Sequence, residues 1–92
     1  MKSLSVVMPC FDEQDTIRDI VASVLSAPRL GLDIELIIVD DGSKDRSREI
    51  ITELADGNPS IKSVLQDRNR GKGAAVRTGI GLATGDIILI QD

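Results

Sequence analysis

Asp40-Asp41-Gly42-Ser43 places two adjacent carboxylates, a glycine and a hydroxyl directly behind the apolar run Ile34–Val39. Neighbouring carboxylates accept hydrogen bonds from N–H and O–H groups or coordinate a hard cation, so the phrase can serve a base, a ribose or a metal ion. A plainer account is a tight turn with Gly42 at positive φ and Ser43 or Asp45 capping the next helix. That account covers Gly42 and Ser43, but not two acids in succession. A second group, Asn69-Arg70-Gly71-Lys72-Gly73, has the glycines and positive charge of a phosphate cradle at a helix start, or of a solvated basic loop. It lacks the G-x-x-x-x-G-K-[ST] spacing of a P-loop, and Val76 stands where a dinucleotide fingerprint needs glycine. Asp92, behind the apolar run Ile87–Ile90, is a candidate ligand for a divalent ion that would neutralise a bound diphosphate. Glu13 reads either as part of the same site or as a first-turn helix acid.

Such groups act together only if the chain folds them to one place. Ile34–Val39 is too short for a helix, rich in β-branched residues and without polar alternation, which is the pattern of a parallel strand covered on both faces. Leu4–Met8 is a similar run, stopped by Pro9. Ile17, Ile20, Val21, Val24 and Leu25 then form one helical stripe, with Asp12 or Asp15 available as N-cap and Pro28 marking the end. A second helix turns Ser47, Ile50, Ile51 and Leu54 inward behind a Ser43 or Asp45 cap and is closed by Gly57 and Pro59. Ile61–Leu65 is a shorter strand. After the Gln66–Gly73 loop, a third helix on Ala75, Val76, Gly79, Ile80 and Ala83 ends near Gly85, and Ile87–Ile90 is the last strand.

The fold class is therefore α/β, a β-α-β-α-β-α-β chain with right-handed crossovers and parallel sheet order 3-2-1-4. In that order Glu13, Asp41 and Asp92 should line one crevice at the carboxyl edge of the sheet, between Pro9 and Asp92. The last strand is apolar on both faces and would stand at a sheet edge, which implies the first half of a larger fold, cut off within a motif.

Ninety-two residues allow at most one domain, and 41% hydrophobic with 28% charged residues is an ordinary globular balance. Phe11 is the only aromatic residue and the net charge is −4, which together exclude a base-stacking platform and a general nucleic-acid binder. Arg68, Arg70, Lys72 and Arg77 nevertheless crowd one stretch with only Asp67 opposing them, as a local anion site requires. The single Cys10 cannot form an internal disulfide and reads as a small core residue in a reducing, cytoplasmic compartment. Met1-Lys2-Ser3 leads directly into a strand, and no apolar run approaches the ~20 residues of a membrane span.

Four phrases stand in order: Val6-Val7-Met8-Pro9-Cys10-Phe11-Asp12-Glu13, Ile38-Val39-Asp40-Asp41-Gly42-Ser43, Asn69-Arg70-Gly71-Lys72-Gly73, and Ala83-Thr84-Gly85-Asp86 through Gln91-Asp92. Together they resemble the start of a family 2 glycosyltransferase, most similar to the polyprenyl- or dolichyl-phosphate mannose or glucose synthase type. The resemblance implies a GT-A fold, with residues 1–92 forming its N-terminal nucleotide-sugar-binding part. It further implies inverting transfer from a UDP- or GDP-sugar, assisted by Mg²⁺ or Mn²⁺, to an acceptor such as a lipid phosphate. By position, Pro9, Phe11 and Glu13 would form the nucleotide-facing first loop, Asp41 would address the base with Asp40 beside it, and Gly71, Lys72 and Gly73 would lie near the nucleotide. Asp92 matches the first acid of an Asp-x-Asp metal motif whose second acid is not in the sequence. Phe11 and Asp12 replace the more usual Tyr and Asn, which removes a hydroxyl there. No catalytic residue is assigned within residues 1–92: the acceptor site, any base and any membrane association at the cytoplasmic face would belong to parts beyond them, and the stretch alone would transfer nothing. The alternative class is a receiver-type or other non-catalytic nucleotide-binding regulatory module, which would use Asp67 as its phosphorylatable residue.

Overall fold

Leu36, Ile37, Ile38 and Val39 have no exposed surface, and a strand buried on both faces needs a layer on each side. The computed structural model describes residues 2–28 and 31–91 and supplies those layers. The elements alternate as β1 (Ser3–Cys10), α1 (Ile17–Ser26), β2 (Asp33–Asp40), α2 (Ser47–Gly57), β3 (Ile61–Leu65), α3 (Lys72–Leu82) and β4 (Ile87–Ile90). All neighbouring strands are parallel, in the order β3-β2-β1-β4, as the sequence pattern requires. On one face Leu4, Val6, Met8, Leu36, Ile38 and Ile61 pack with Ile17 and Val21 of α1 and with Ile50 and Ile51 of α2. On the other, Ile37 and Val39 pack with Ala75 of α3.

β1 does not stop at Pro9: it pairs with β2 in register from Ser3↔Asp33 to Cys10↔Asp40. Gln91 donates its N–H to the Val7 carbonyl, and Asp41 donates to that of Cys10. Because alternate residues of a strand face opposite neighbours, Pro9 turns its ring nitrogen toward β4, past that strand's last paired residue, Ile90. The missing N–H faces the edge strand and takes no bond from the pairing with β2, so the proline is tolerated.

The helix starts also differ from expectation. Neither Asp12 nor Asp15 caps α1; Thr16 holds the cap position, behind a turn in which Thr16 and Ile17 donate to the Glu13 carbonyl. Arg46, not Ser43 or Asp45, holds it in α2, although Asp45 accepts the Ser47 N–H. Asp12, Ser43 and Asp45 also accept across to the neighbouring loop, as described below. In α3 the inward positions are Ala75 and Gly79, whereas Ile80 is 43% exposed. A Cβ on Gly79 would overlap Val7, so α3 lies close against the sheet along two small residues, Ala75 and Gly79, and turns Ile80 outward. The four apolar residues of β4 are 40–53% exposed, the edge that the sequence pattern anticipated. No helix among the described residues is long and apolar enough to cross a membrane.

Candidate functional site

Parallel strands deliver their following loops to one edge, and here three loops meet outside the ends of β1, β2 and β3. Pro9, Cys10, Phe11, Glu13, Asp41 and Lys72 line a cleft of about 150 Å³. Five of the expected positions, Pro9, Phe11, Glu13, Asp41 and Lys72, thus come together from loops far apart in the chain. Gly71 and Gly73 do not line it. Gly71, at φ 94°, forms the cap of α3 and so sets where Lys72 begins the helix beside the cleft. Asp92, the expected metal ligand and third member of the crevice, lies outside the described residues. Among the described residues, no group of three His, Cys, Asp or Glu side chains could hold a metal ion.

The two neighbouring acids have different tasks. Asp40 is fully buried, and its Oδ2 accepts from Arg48 Nη1 at 2.7 Å and from the Ser43 N–H at 2.9 Å. The same Arg48 nitrogen donates to the Gln66 carbonyl at 2.6 Å. Asp40 does not itself line the cleft: through Arg48 its Oδ2 ties the end of β2 to α2 and to the end of β3. Asp41 is the acid that reaches the cleft. Its Oδ1 accepts from Gln66 Nε2 at 2.9 Å and from the Arg70 N–H at 2.8 Å, whereas its Oδ2 has no hydrogen bond among the described residues. Gly42, at φ 75°, is required twice over, since a Cβ there would also run into the backbone of Arg68 and Asn69.

A reciprocal lattice holds the first two loops together. Ser43 Oγ, Ser47 Oγ and Asp45 Oδ2 accept the backbone N–H groups of Asp12, Glu13 and Gln14 at 2.8, 2.7 and 3.1 Å. In return Asp12 Oδ1 and Gln14 Oε1 accept those of Lys44 and Arg46 at 2.8 and 3.0 Å. Asp12 has φ 50°, a left-handed conformation that asparagine and aspartate tolerate better than most residues. The lattice fixes the backbone on either side of Glu13, whose side chain accepts from Thr16 Oγ1 at 2.6 Å. These partners were missed from the sequence, where the alternation Ser43-x-Asp45-x-Ser47 was the available signal.

The electrostatics follow burial. The Cys10 thiol is pushed up to about 12 by burial and then by the charge of Asp40, so it stays protonated and unreactive in the wall of the cleft. Asp67, on the exposed side of the third loop, is held below the usual carboxylate range by its hydrogen bond and ion pair with Arg70. It is not among the residues that line the cleft with Asp41.

A doubly wound parallel sheet with an acceptor carboxylate and a lysine at its carboxyl edge defines an α/β ligand-binding module. The family is specific: the glycosyl transferase family 2 model matches residues 5–92, and the chain belongs to that family. It is 39% identical over 94 aligned residues to undecaprenyl-phosphate 4-deoxy-4-formamido-L-arabinose transferase of Pectobacterium carotovorum subsp. carotovorum (strain PC1), covering 100% of this chain but 29% of that protein. The chain therefore spans less than a third of the length of that curated relative. The fold is similar to the GT-A glycosyltransferase domains of solved structures. S. aureus TarS 1-349 in complex with UDP has TM-score 0.82 at 22% identity, over 98% of this chain and 27% of that one. Mannosyltransferase PcManGT from Pyrobaculum calidifontis, in complex with GDP-Man and Mn²⁺, has TM-score 0.80 at 25% identity, over 95% of this chain and 26% of that one.

Proposed function

We propose that this chain is the nucleotide-sugar-binding part of an inverting glycosyltransferase that moves a sugar from a UDP- or GDP-sugar to a polyprenyl phosphate. The observation that carries the reading is the convergence of Pro9, Phe11, Glu13, Asp41 and Lys72 on one cleft at the carboxyl edge of the sheet. An ionised carboxylate is acceptor-only, so Asp41 Oδ2 selects a base edge that offers N–H, as uracil and guanine do. Lys72 supplies positive charge for the diphosphate, and Gly71 and Gly73 let the loop backbone come near it. Family membership and the complexes of the similar proteins with UDP and with GDP-Man and Mn²⁺ support a nucleotide-sugar donor. The polyprenyl phosphate rests on the named acceptor of the 39% identical relative.

Mg²⁺ or Mn²⁺, held by Asp92 and further oxygen donors, would neutralise charge on the diphosphate; carboxylate oxygen suits such hard cations. The residues on this chain bind and orient: Asp41 fixes the base, and the first loop walls the nucleoside. An oxygen of the acceptor phosphate attacks the anomeric carbon in line, forming the new C–O bond as the bond to the nucleoside diphosphate breaks and that group leaves with the electron pair, which inverts the centre; a lipid phosphate, already anionic, has little need of a general base. Work at the cytoplasmic face of a membrane agrees with such an acceptor. Calorimetric titration of the protein with UDP and GDP, with and without Mn²⁺, tests the reading. Asp41→Asn should weaken binding about ten-fold or more by placing a donor against the base N–H. Unchanged binding in that variant would remove Asp41 from the site.

A further inference from the structure

The geometry points to Gln66 as the positioning residue that determines how Asp41 presents itself to the nucleoside, an assignment that rests on the nucleotide-binding role proposed above. Gln66 is fixed at three places. Its backbone N–H donates to the Asp40 carbonyl at 3.0 Å, its carbonyl accepts from Arg48, and its side-chain Oε1 lies 3.1 Å from the hydroxyl of Thr78 in α3. Thr78 Oγ1 also lies 3.0 Å from the Ala74 carbonyl, so its single proton is shared between two acceptors. The remaining end of the amide, Nε2, donates to Asp41 Oδ1. The reversed amide would set a carbonyl against a carboxylate, so the orientation follows from the charge of Asp41.

The consequence is a division of labour within one carboxylate. Gln66 and the Arg70 N–H occupy Oδ1, which leaves Oδ2 as the acceptor for a ligand. Without the amide the carboxylate would be held by one backbone donor and free to rotate about its last torsion. Gln66 touches no reacting atom; it acts through Asp41, and Thr78 acts through Gln66.

Gln66→Glu separates this role from a merely structural one. Glutamate keeps the acceptor for Thr78 but sets a second carboxylate against Asp41. Two carboxylates sharing a site take up a proton more readily than either alone. The shared proton would restore an O–H donor to Oδ1. The other charged groups around Asp41 are the same in variant and wild type: Glu13 and Lys72 across the cleft, Asp40 with Arg48 beneath it, and Arg70 with Asp67 in the third loop. In the full chain with Mn²⁺, Gln66→Glu should weaken UDP and GDP about ten-fold relative to wild type near pH ~7.5 and recover most of that loss near pH ~5.5. The equal-sized Gln66→Met should lose affinity to about the same extent at both values, and combined with Asp41→Asn it should add little further loss, as coupled residues do. If Gln66→Glu fails to fold, as judged by far-UV circular dichroism, the Gln66→Met cycle decides. Binding by Gln66→Met equal to wild type, a loss in Gln66→Glu independent of pH, or full additivity with Asp41→Asn would overturn the role of Gln66 while leaving the nucleotide site standing. Wild-type binding by Asp41→Asn itself would overturn both.

Discussion

Glu35 offers the sharpest test of the physical account, because one carboxylate ties together four parts of the chain at the edge of the sheet opposite the cleft. Its Oε2 accepts from Ser5 Oγ of β1 and from the N–H and hydroxyl of Thr84 at 2.6 and 2.9 Å. Its Oε1 accepts from Lys62 Nζ of β3 at 2.6 Å, and Ser5 Oγ in turn accepts the Gly85 N–H at 2.8 Å. Burial acts to raise the Glu35 pKa, but the hydrogen bonds from Lys62, Ser5 and Thr84 outweigh it and hold the group at about 2, down from 4.5. A shift of that size corresponds to about 3 kcal/mol, reduced to about 2 because the Lys62 end is half exposed. In Glu35→Gln the neutral amide keeps one acceptor and turns its NH₂ toward a donor, so the variant should lose about 2–3 kcal/mol, or roughly 10–20 °C in Tm. The sign with pH is fixed: a depressed carboxylate stabilises fully above its unfolded pKa, and that stabilisation is lost as the pH falls from 4.5 toward 2. Urea denaturation should therefore show a full gap between wild type and variant at neutral pH that narrows through this window. The chain has no Trp or Tyr, so far-UV circular dichroism is the suitable signal. A gap below about 0.5 kcal/mol at neutral pH, within ordinary surface effects, or one that stays constant through the acid range, would refute the reasoning.

Arg48→Ala should cost about 3–5 kcal/mol in the same assay, because it strands the fully buried charge of Asp40; a loss typical of an exposed residue would mean that the pair contributes nothing. Gly42→Ala should lift the third loop off Asp41, weakening UDP and GDP about ten-fold or more and lowering stability by about 1–3 kcal/mol. Calorimetry and denaturation check the two effects separately, and wild-type affinity would show that the loop's contact with Asp41 is dispensable. With its thiol pushed up to about 12 from 9.0, Cys10 should react with iodoacetamide at mildly alkaline pH about a thousand-fold more slowly than a free cysteine. Mass spectrometry of the labelled protein measures this, and labelling at the free rate would place Cys10 outside the wall of the cleft.

Periodicity carried the architecture. A run such as Ile34–Val39 has one low-energy use in water, burial on both faces, and the alternation of such runs with amphipathic stripes leaves the parallel order β3-β2-β1-β4 as the natural arrangement. The same reasoning gave the positive φ of Gly42 and the edge position of β4, and the four-phrase resemblance gave the family. The resemblance also singled out Asp41 and Glu13 for the nucleotide-facing edge. What the amino-acid order did not show was that Asp40, beside Asp41, is paired with Arg48 and the Ser43 N–H. Successive residues of a strand point to opposite sides, and only the packing of α2 shows which carboxylate meets Arg48 and which meets the cleft.

The helix caps failed for a related reason. Asp12, Ser43 and Asp45 are good local cap residues, yet each accepts a backbone N–H of the neighbouring loop, Asp45 in addition to that of Ser47, a choice made by the distance between loops and not by the residues themselves. Gln66 and Thr78 carry no motif at all; they matter because β3 and α3 bring them within hydrogen-bonding reach of Asp41. Local sequence thus determined which segments become strands and helices, because that depends on patterns within a few residues. Only the assembled sheet decided which polar atoms are spent on the scaffold and which remain free for a ligand, because hydrogen-bond partners are allotted across segments that are distant in the chain.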